Sequence, residues 1–479
     1  MEALKFDRRE LLARGSAALL SLVVARPLRA HPAIPQFRCP LPIPPVLQPV
    51  RRDSQCDYYE ISQREATVEI IPGMRTRIWG YEGIFPGPTI EARRGRAAVV
   101  THTNCLGVPT VTHLHGGMTR PQSDGFPTDT VAPGGTRAYE YDNVGRPATL
   151  WYHDHSWRGT GRNLYLGLAG FFLLKEDSAI EAQLPNGRYD VPLMLHDRVF
   201  TADGQLDYDH DAHHGATGRV ILVNGAPWPV LDVAARKYRF RILNASNATA
   251  LRLALSTHHP LIQIGSDQGL LPAPVVLSTI GLAMAERVDI VVDFSVYPLG
   301  TRVVLENRRG QGPLRSIMRF DVVRRANDDS RVPERLSEIE PLGRAQATRT
   351  RTFLFGGKPT LAVPPGVHWV INGEPFDPLR VDANPRLDDV EIWRFVNRAF
   401  AGRTMLHPVH THLAPFQVLS RNGRAPLRQE SGVKDTVAIE DGEEVEVIMR
   451  WSGHKGRYLL HCHNLEHGDH SMMARVDVV

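Results

Sequence analysis

Near its end the chain reads His461-Cys462-His463-Asn464-Leu465-Glu466-His467, followed by Met472. A thiolate, imidazoles and a weak thioether make up the trigonal ligand set with a long axial bond that holds blue copper. The cysteine is flanked on both sides by further ligand types. A second metal site would then be joined to the first through one residue of backbone. A centre that collects electrons beside one that consumes them is suited to reducing oxygen.

Further ligand types lie upstream. His113-Leu114-His115-Gly116 and His153-Asp154-His155 are H-x-H pairs, and His407-Pro408-Val409-His410-Thr411-His412 is a third pair with one histidine ahead of it. In a strand, residues i and i+2 point to the same face, so each pair can aim two imidazoles at one point. With His461 and His463 there are four pairs, or eight imidazoles. Eight suffice for a three-ion cluster with two on one ion and three on each of the others. Imidazole suits copper as it suits zinc. A lone H-x-H is usually a surface pair and a lone buried cysteine a small hydrophobe, but four ordered motifs are not explained that way. The other histidines, His102, His196, His210, His213, His214, His258, His259, His454 and His470, read as solvated or structural, with His454 and His470 nearest the last motif.

Taken in order, H-x-H-G, H-x-H, H-P-x-H-x-H and H-C-H-x3-H-x4-M, the motifs resemble those of the multicopper oxidases. Residues 80–89 (GYEGIFPGPT), 151–155 (WYHDH) and 167–171 (GLAGF) are similar to the bacterial branch of spore-coat laccases, bilirubin oxidases and phenoxazinone synthases. The resemblance runs from about residue 60 to the end. It implies four copper ions per monomer: type 1 on His407, Cys462 and His467 with Met472 axial, type 2 on His113 and His410, and a type 3 pair on His115, His153, His155, His412, His461 and His463. It further implies one-electron oxidation of phenolic or similar aromatic donors near an exposed edge of His407. Electrons would cross through Cys462 to His461 and His463, and oxygen would be reduced to water. Asp124, in Ser123-Asp124-Gly125-Phe126, matches an acid of the bacterial pattern and is a candidate proton relay; it reads equally as a turn aspartate before glycine. The spore-coat type carries a glutamate where this chain has Gly468, leaving Asp469 or Glu466 to substitute. Two other classes compete. The intact ligand set opposes a copper-free structural member of the superfamily. Only ten methionines, without a Met-rich cluster, oppose a cuprous oxidase for copper tolerance.

A chain of 479 residues suggests three domains. Residues 79–88 (WGYEGIFPGP) lead into a strand ending near Asn104, 222–229 (LVNGAPWP) into 238–244 (YRFRILN), and 370–376 (VINGEPF) into 392–397 (IWRFVN). Recurrence at about 145 residues indicates three copies of one fold. With 36 Pro, 40 Gly and many short Val/Ile/Leu stretches, the fold expected is all-β: three consecutive cupredoxin-like Greek-key β-sandwich domains. They are placed at 31–180, 181–345 and 346–479, with a linker over about 324–351. The middle copy has no H-x-H motif and is expected only to space the others. The cluster would then lie between the first and last copies, each giving four of eight histidines.

Residues 1–30 read as a twin-arginine signal peptide: Asp7-Arg8-Arg9-Glu10-Leu11-Leu12, then an apolar core over 17–25 too short to span a bilayer. Cleavage is expected after Ala30 or Ala25, after passage through the twin-arginine export machinery to the periplasm or the cell exterior. This segment carries six Lys/Arg and three Asp/Glu, so the formal +4 falls by 3 to near +1 in the mature chain. No basic tract interleaves with aromatics, so no nucleic-acid partner is expected, and the chain is expected to be a monomer. Besides Cys462 there are Cys39, Cys56 and Cys105. An oxidising compartment permits one disulfide, with Cys39 and Cys56 the nearest pair; three thiols are the alternative.

Overall fold

A computed structural model describes residues 32–210, 212–360, 366–398 and 405–479; the signal peptide expected over residues 1–30 lies outside them. Three successive stretches of chain each build two β-sheets. The first has a five-stranded sheet and a four-stranded one, the middle stretch a seven- and a five-stranded sheet, and the last a five- and a four-stranded sheet. The two four-stranded sheets carry the motifs. In the first, strands β1 (Gly87–Arg93), β2 (Thr112–His115), β3 (Ala148–Asp154) and β4 (Ala169–Lys175) run in the order β1-β4-β3-β2. In the last, β5 (His407–Thr411), β6 (Thr436–Ile439), β7 (Gly456–Cys462) and β8 (Met473–Val478) run β6-β5-β7-β8. Helices are short: α1 (Thr160–Leu166) and α2 (Leu465–Asp469).

The internal repeat has a physical basis in each stretch. An entry strand pairs in parallel with the strand that ends in asparagine: Cys56–Val68 with Ala97–Asn104, Asp190–Arg198 with Lys237–Asn244, and Arg349–Thr360 with Val390–Asn397. A turn left-handed at two successive residues precedes each: Glu82-Gly83 (φ 55° and 65°), Asn224-Gly225 (50° and 87°) and Asn372-Gly373 (56° and 81°). Positive φ favours glycine and asparagine, which is why the NG pair recurs. The terminal asparagines are buried. Their amides donate to two backbone carbonyls apiece: Asn104 to Val108 and Val131, Asn244 to Thr249 and Leu282, Asn397 to Met405 and Ile439. Backbone groups that leave a sheet in the interior need such partners.

Separate apolar cores form around Tyr59, Val100 and Phe172, around Phe240, Ile290 and Phe320, and around Trp393, Phe395 and Val447. A further cluster of Trp151, Phe171, Met194, Leu243, Ala285 and Leu465 draws on all three stretches and packs them into one body. The cysteines are all free thiols, so Cys39 and Cys56 are not bridged.

Replacing Asn244 by alanine removes three hydrogen bonds, two donated to the Thr249 and Leu282 carbonyls and one accepted from Ser246 N, a cost of about 2–4 kcal/mol. The expected outcome is a lower urea midpoint for the transition that exposes the middle stretch; an unchanged midpoint would show that the amide carries no structural load.

Candidate metal centre

Strand register brings the pairs together. In β2 and β3, His113 lies opposite His153 and His115 opposite Trp151; in β5 and β7, His410 lies opposite His461 and Val409 opposite Cys462. All eight histidines of the H-x-H pairs are buried, His461 the most exposed at 4%. His113 stacks on His412 at 3.8 Å between ring centroids, and His115 on His410 at 3.7 Å. The first and last stretches thus meet ring on ring, each with four imidazoles.

The ring nitrogens sort into groups. His113 Nδ1 donates to the Asp124 carbonyl at 2.5 Å and His410 Nδ1 to the Asp435 carbonyl at 2.8 Å. Their Nε2 atoms, left as lone pairs, face one another at 3.5 Å. His412 Nδ1 donates to the Asp124 carboxylate at 2.7 Å, and His412 Nε2 and His155 Nε2 each stand 3.2 Å from His461 Nε2. The remaining rings are His115, His153 and His463, with centroids 5.0–5.8 Å apart, and His115 and His153 also lie within reach of His113. His153 Nδ1 donates to the Asp154 carbonyl, leaving its buried Nε2 unpartnered. His115 Nε2 is taken by Asp435 at 3.0 Å, leaving Nδ1 unpartnered, and both nitrogens of His463 are unpartnered.

Burial drives the pKa values of His113, His115, His153, His155, His410, His461 and His463 well below the ordinary value, with neighbouring imidazoles and Arg287 adding to it. The cluster is a set of neutral donors, the form that binds a transition metal.

Two carboxylates orient it. Asp124 is fully buried and touches His113 through its carbonyl and His412 through its side chain, while the Thr119 hydroxyl donates to it at 3.2 Å. It follows the short 3-10 turn Pro121–Ser123. Gly125 after it has φ 83°, and a Cβ there would meet the Thr112 carbonyl at 2.3 Å, so glycine is required. Asp435 lies outside all four sequence motifs. It binds His115, and Gln268 donates to it at 2.6 Å. Arg287, with no exposed side chain, donates to both its oxygens, at 2.7 Å to Oδ1. Burial alone would raise the Asp435 carboxyl, but Arg287 outweighs it and holds the carboxyl well below its usual range. Arg287 and Gln268 come from the middle stretch, which therefore supports the cluster directly and is not merely a spacer.

The carboxylates proposed in place of a glutamate at Gly468 are engaged elsewhere. Asp469 accepts from the Thr160 and Gly161 backbone N–H at 3.1 and 2.8 Å, and burial, with Glu466 beside it, pushes it up to about 8. Glu466 accepts from Asn247, Ala216 N and Tyr208 at 2.8, 2.9 and 3.1 Å.

The second centre lies one residue from the first. Cys462 Sγ is 3.5 Å from His407 Nδ1 and 3.7 Å from His467 Nδ1, and the two Nδ1 atoms are 3.1 Å apart. Burial pushes the Cys462 thiol up and lowers His407 to about 3. Met472 packs in the core cluster that contains Cys462, and its carbonyl accepts from Cys462 N at 3.1 Å. Met473 packs on the other side, with Phe126, Phe376 and Leu459. The expected exposed edge of His407 is not found: its residue is 1% exposed, with Phe355 and Trp369 rings 6.3 and 5.6 Å away. Trp369 instead stacks on His467 at 4.0 Å. Of the histidines set aside, His470 borders a cavity on this side, whereas His102 is buried among Tyr81, Tyr139 and Tyr152.

These donors fit metal ions. Ligands about 2.0–2.3 Å from one ion stand roughly 3.2–3.8 Å apart, the separations found here. Lone pairs facing each other without a proton between them make no hydrogen bond. Two regions of the chain, 62–179 and 345–479, match family models described as multicopper oxidase. The chain is 36% identical to a laccase of Bacillus stratosphericus over 92% of this chain and 98% of that protein. The chain belongs to the multicopper oxidases. It is also 36% identical to a bilirubin oxidase of Albifimbria verrucaria, over 94% of this chain and 82% of the other. The crystal structure of a laccase from Pediococcus acidilactici superimposes with a TM-score of 0.86 at 33% identity, covering 94% of this chain and 96% of that one. Its histidine clusters are thus of the kind this copper-binding family carries.

Replacing Arg287 by methionine leaves the buried Asp435 charge unpaired and should cost about 3–5 kcal/mol. Urea unfolding of the metal-free protein measures it; a loss below about 1 kcal/mol would contradict the pairing as described.

Proposed function

We propose that this multicopper oxidase is laccase-like: it oxidises phenolic or similar aromatic donors by single electrons and reduces oxygen to water, with four copper ions per monomer. The observation that carries this is the placement of Cys462. Its thiol meets His407 and His467, while on either side His461 joins His155 and His412, and the His463 ring packs on His115 at 5.0 Å. On this reading the type 1 ligands are His407, Cys462, His467 and axial Met472. His113 and His410 hold type 2. His115, His153 and His463 hold one ion of the type 3 pair, and His155, His412 and His461 hold the other. Copper, when bound, supplies one-electron redox chemistry at the first centre and the four-electron reduction of oxygen at the second.

The chain's own groups do the rest. Cys462 and its two neighbouring residues offer a covalent path between the centres. The carbonyls of Asp124, Asp435 and Asp154 fix which imidazole nitrogen carries a proton. Four protons are needed for each oxygen. Asp124, buried on His412 and hydrogen-bonded to Thr119, is the carboxylate we assign to hold and pass them. Asp469 and Glu466 are occupied by backbone and side-chain donors. Laccase-type relatives support the choice of aromatic donors, and convergence of all four motifs opposes a copper-free scaffold. We take 31–180, 181–345 and 346–479 as the domains of a monomer, exported by the twin-arginine route to the periplasm or exterior on the strength of Arg8-Arg9 and the apolar run after it.

The copper-loaded protein should be blue and should oxidise a phenol such as 2,6-dimethoxyphenol faster than it oxidises Cu(I); the reverse preference would make it a cuprous oxidase. Cys462→Ser should lose both colour and activity, and a blue variant would overturn the type 1 assignment. His113→Ala should stay blue but lose oxygen consumption.

The axial position is tested by redox titration. A thioether stabilises Cu(II) more than an apolar side chain does, so Met472→Leu should raise the type 1 potential and Met473→Leu should leave it in place. A shift confined to Met473→Leu would move the axial ligand by one residue.

A further inference from the structure

Beyond Trp369 lies a cavity of about 340 Å³, lined by Arg158, Arg162, Tyr208, His210, His368 and His470, and also by Glu466 and Asp469. It communicates with the second centre through aromatic rings. His470 lies in the cavity wall, and its carbonyl accepts from Trp369 N at 3.1 Å. The Trp369 ring stacks on His467 at 4.0 Å and 28°, and its Nε1 donates to the His213 carbonyl at 2.6 Å. The His213 ring in turn packs on His470 at 4.4 Å. A donor seated against His470 would couple to His467 through the hydrogen bond from Trp369 N to the His470 carbonyl and the stacked Trp369 ring, a short path for outer-sphere electron transfer.

The charge of this cavity is unbalanced at its rim. Among the described residues neither Arg158 nor Arg162 enters an ion pair. Arg158 rests over Trp157 at 4.8 Å, and Arg162 rests over Trp79 at 4.8 Å with Nε and Nη2 both on Asn163 Oδ1. Of the two acids that also line the cavity, Asp469 accepts from two backbone N–H groups and Glu466 from Asn247, Ala216 and Tyr208, and neither pairs with Arg158 or Arg162. Guanidinium groups held by ring faces keep N–H donors for a planar anion. The volume suits a one-ring ligand.

We propose that this cavity is the donor site and that it selects phenols bearing a carboxylate, with Arg158 and Arg162 binding the carboxylate and Trp369 carrying electronic coupling to His467. The proposal rests on the oxidase reading above and names its substrate class. Each donor loses one electron and its phenolic proton. The electron passes through Trp369 toward His467, and the proton leaves to water at the open mouth. Four such oxidations release the four electrons and four protons that turn one oxygen molecule into two waters.

The test compares syringate with 2,6-dimethoxyphenol on the copper-loaded enzyme, which share a ring and differ by the carboxylate. Beside it, calorimetry follows binding of 3,4,5-trimethoxybenzoate, which has no phenolic proton to lose, against 1,2,3-trimethoxybenzene. The wild type should favour syringate, and its KM for syringate alone should rise with salt. In the double variant Arg158→Gln, Arg162→Gln the kcat/KM ratio of syringate to dimethoxyphenol should fall about tenfold. Trimethoxybenzoate binding should weaken to match, and lysine at both positions should restore part of each. Equal ratios and equal binding in wild type and glutamine variant, or a salt-independent syringate KM, would overturn the proposal. A wild type that binds trimethoxybenzoate yet oxidises neither phenol would instead overturn the oxidase reading and leave the anion site standing.

Discussion

Buried ring nitrogens that face one another across 3.2 Å repel when neither carries a proton unless a cation lies between them, and the surroundings of the cluster serve to hold them there. An imidazole is free to rotate and to choose its tautomer. Here that freedom is removed atom by atom. Carbonyls of Asp124, Asp435 and Asp154 take the Nδ1 protons of His113, His410 and His153, and the Asp124 carboxylate takes that of His412. His115 is turned the other way round by Asp435, so it offers Nδ1 where those four offer Nε2. Such outer partners usually matter to metal affinity nearly as much as the ligands do.

The cluster lies at a seam, and seams between sandwiches shear unless something crosses them. Stacked imidazoles cross it, and so does Arg287. It reaches from the middle stretch to Asp435 in the last and to the Thr149 carbonyl in the first. Lys434 adds a second crossing, with its ammonium 3.0 Å from Asp267 and 3.3 Å from Glu286. All are buried, and a buried charge is tolerable only when paired. The middle stretch therefore contributes charge where it has no ligands.

Much of this was legible in the chain because it is local. The i, i+2 spacing of each H-x-H follows from strand geometry, and the recurrent NG turn and terminal asparagine follow from positive φ and from carbonyls that must be paired. The four H-x-H pairs do meet in one buried cluster, and Cys462 meets His407 and His467 beside it. What the sequence concealed is set by contacts between distant residues. Asp435 meets His115 across 320 positions and Arg287 across 148. The one local hint is a charge entering an apolar strand, Thr436–Ile439, where an acid needs a buried partner. The exposed edge expected at His407 is missing for the same reason: the indole at Trp369 arrives from a different strand, Gly366–Ile371.

The account stands on the claim that these twelve side chains form two adjoining copper centres. Crystals of the copper-loaded protein, with anomalous diffraction recorded on either side of the copper absorption edge, test it most directly. Four copper peaks are predicted: one between His407, Cys462 and His467, one between His113 and His410, and one in each imidazole triad. A single peak at Cys462, or peaks that do not divide the eight imidazoles as two, three and three, would contradict it.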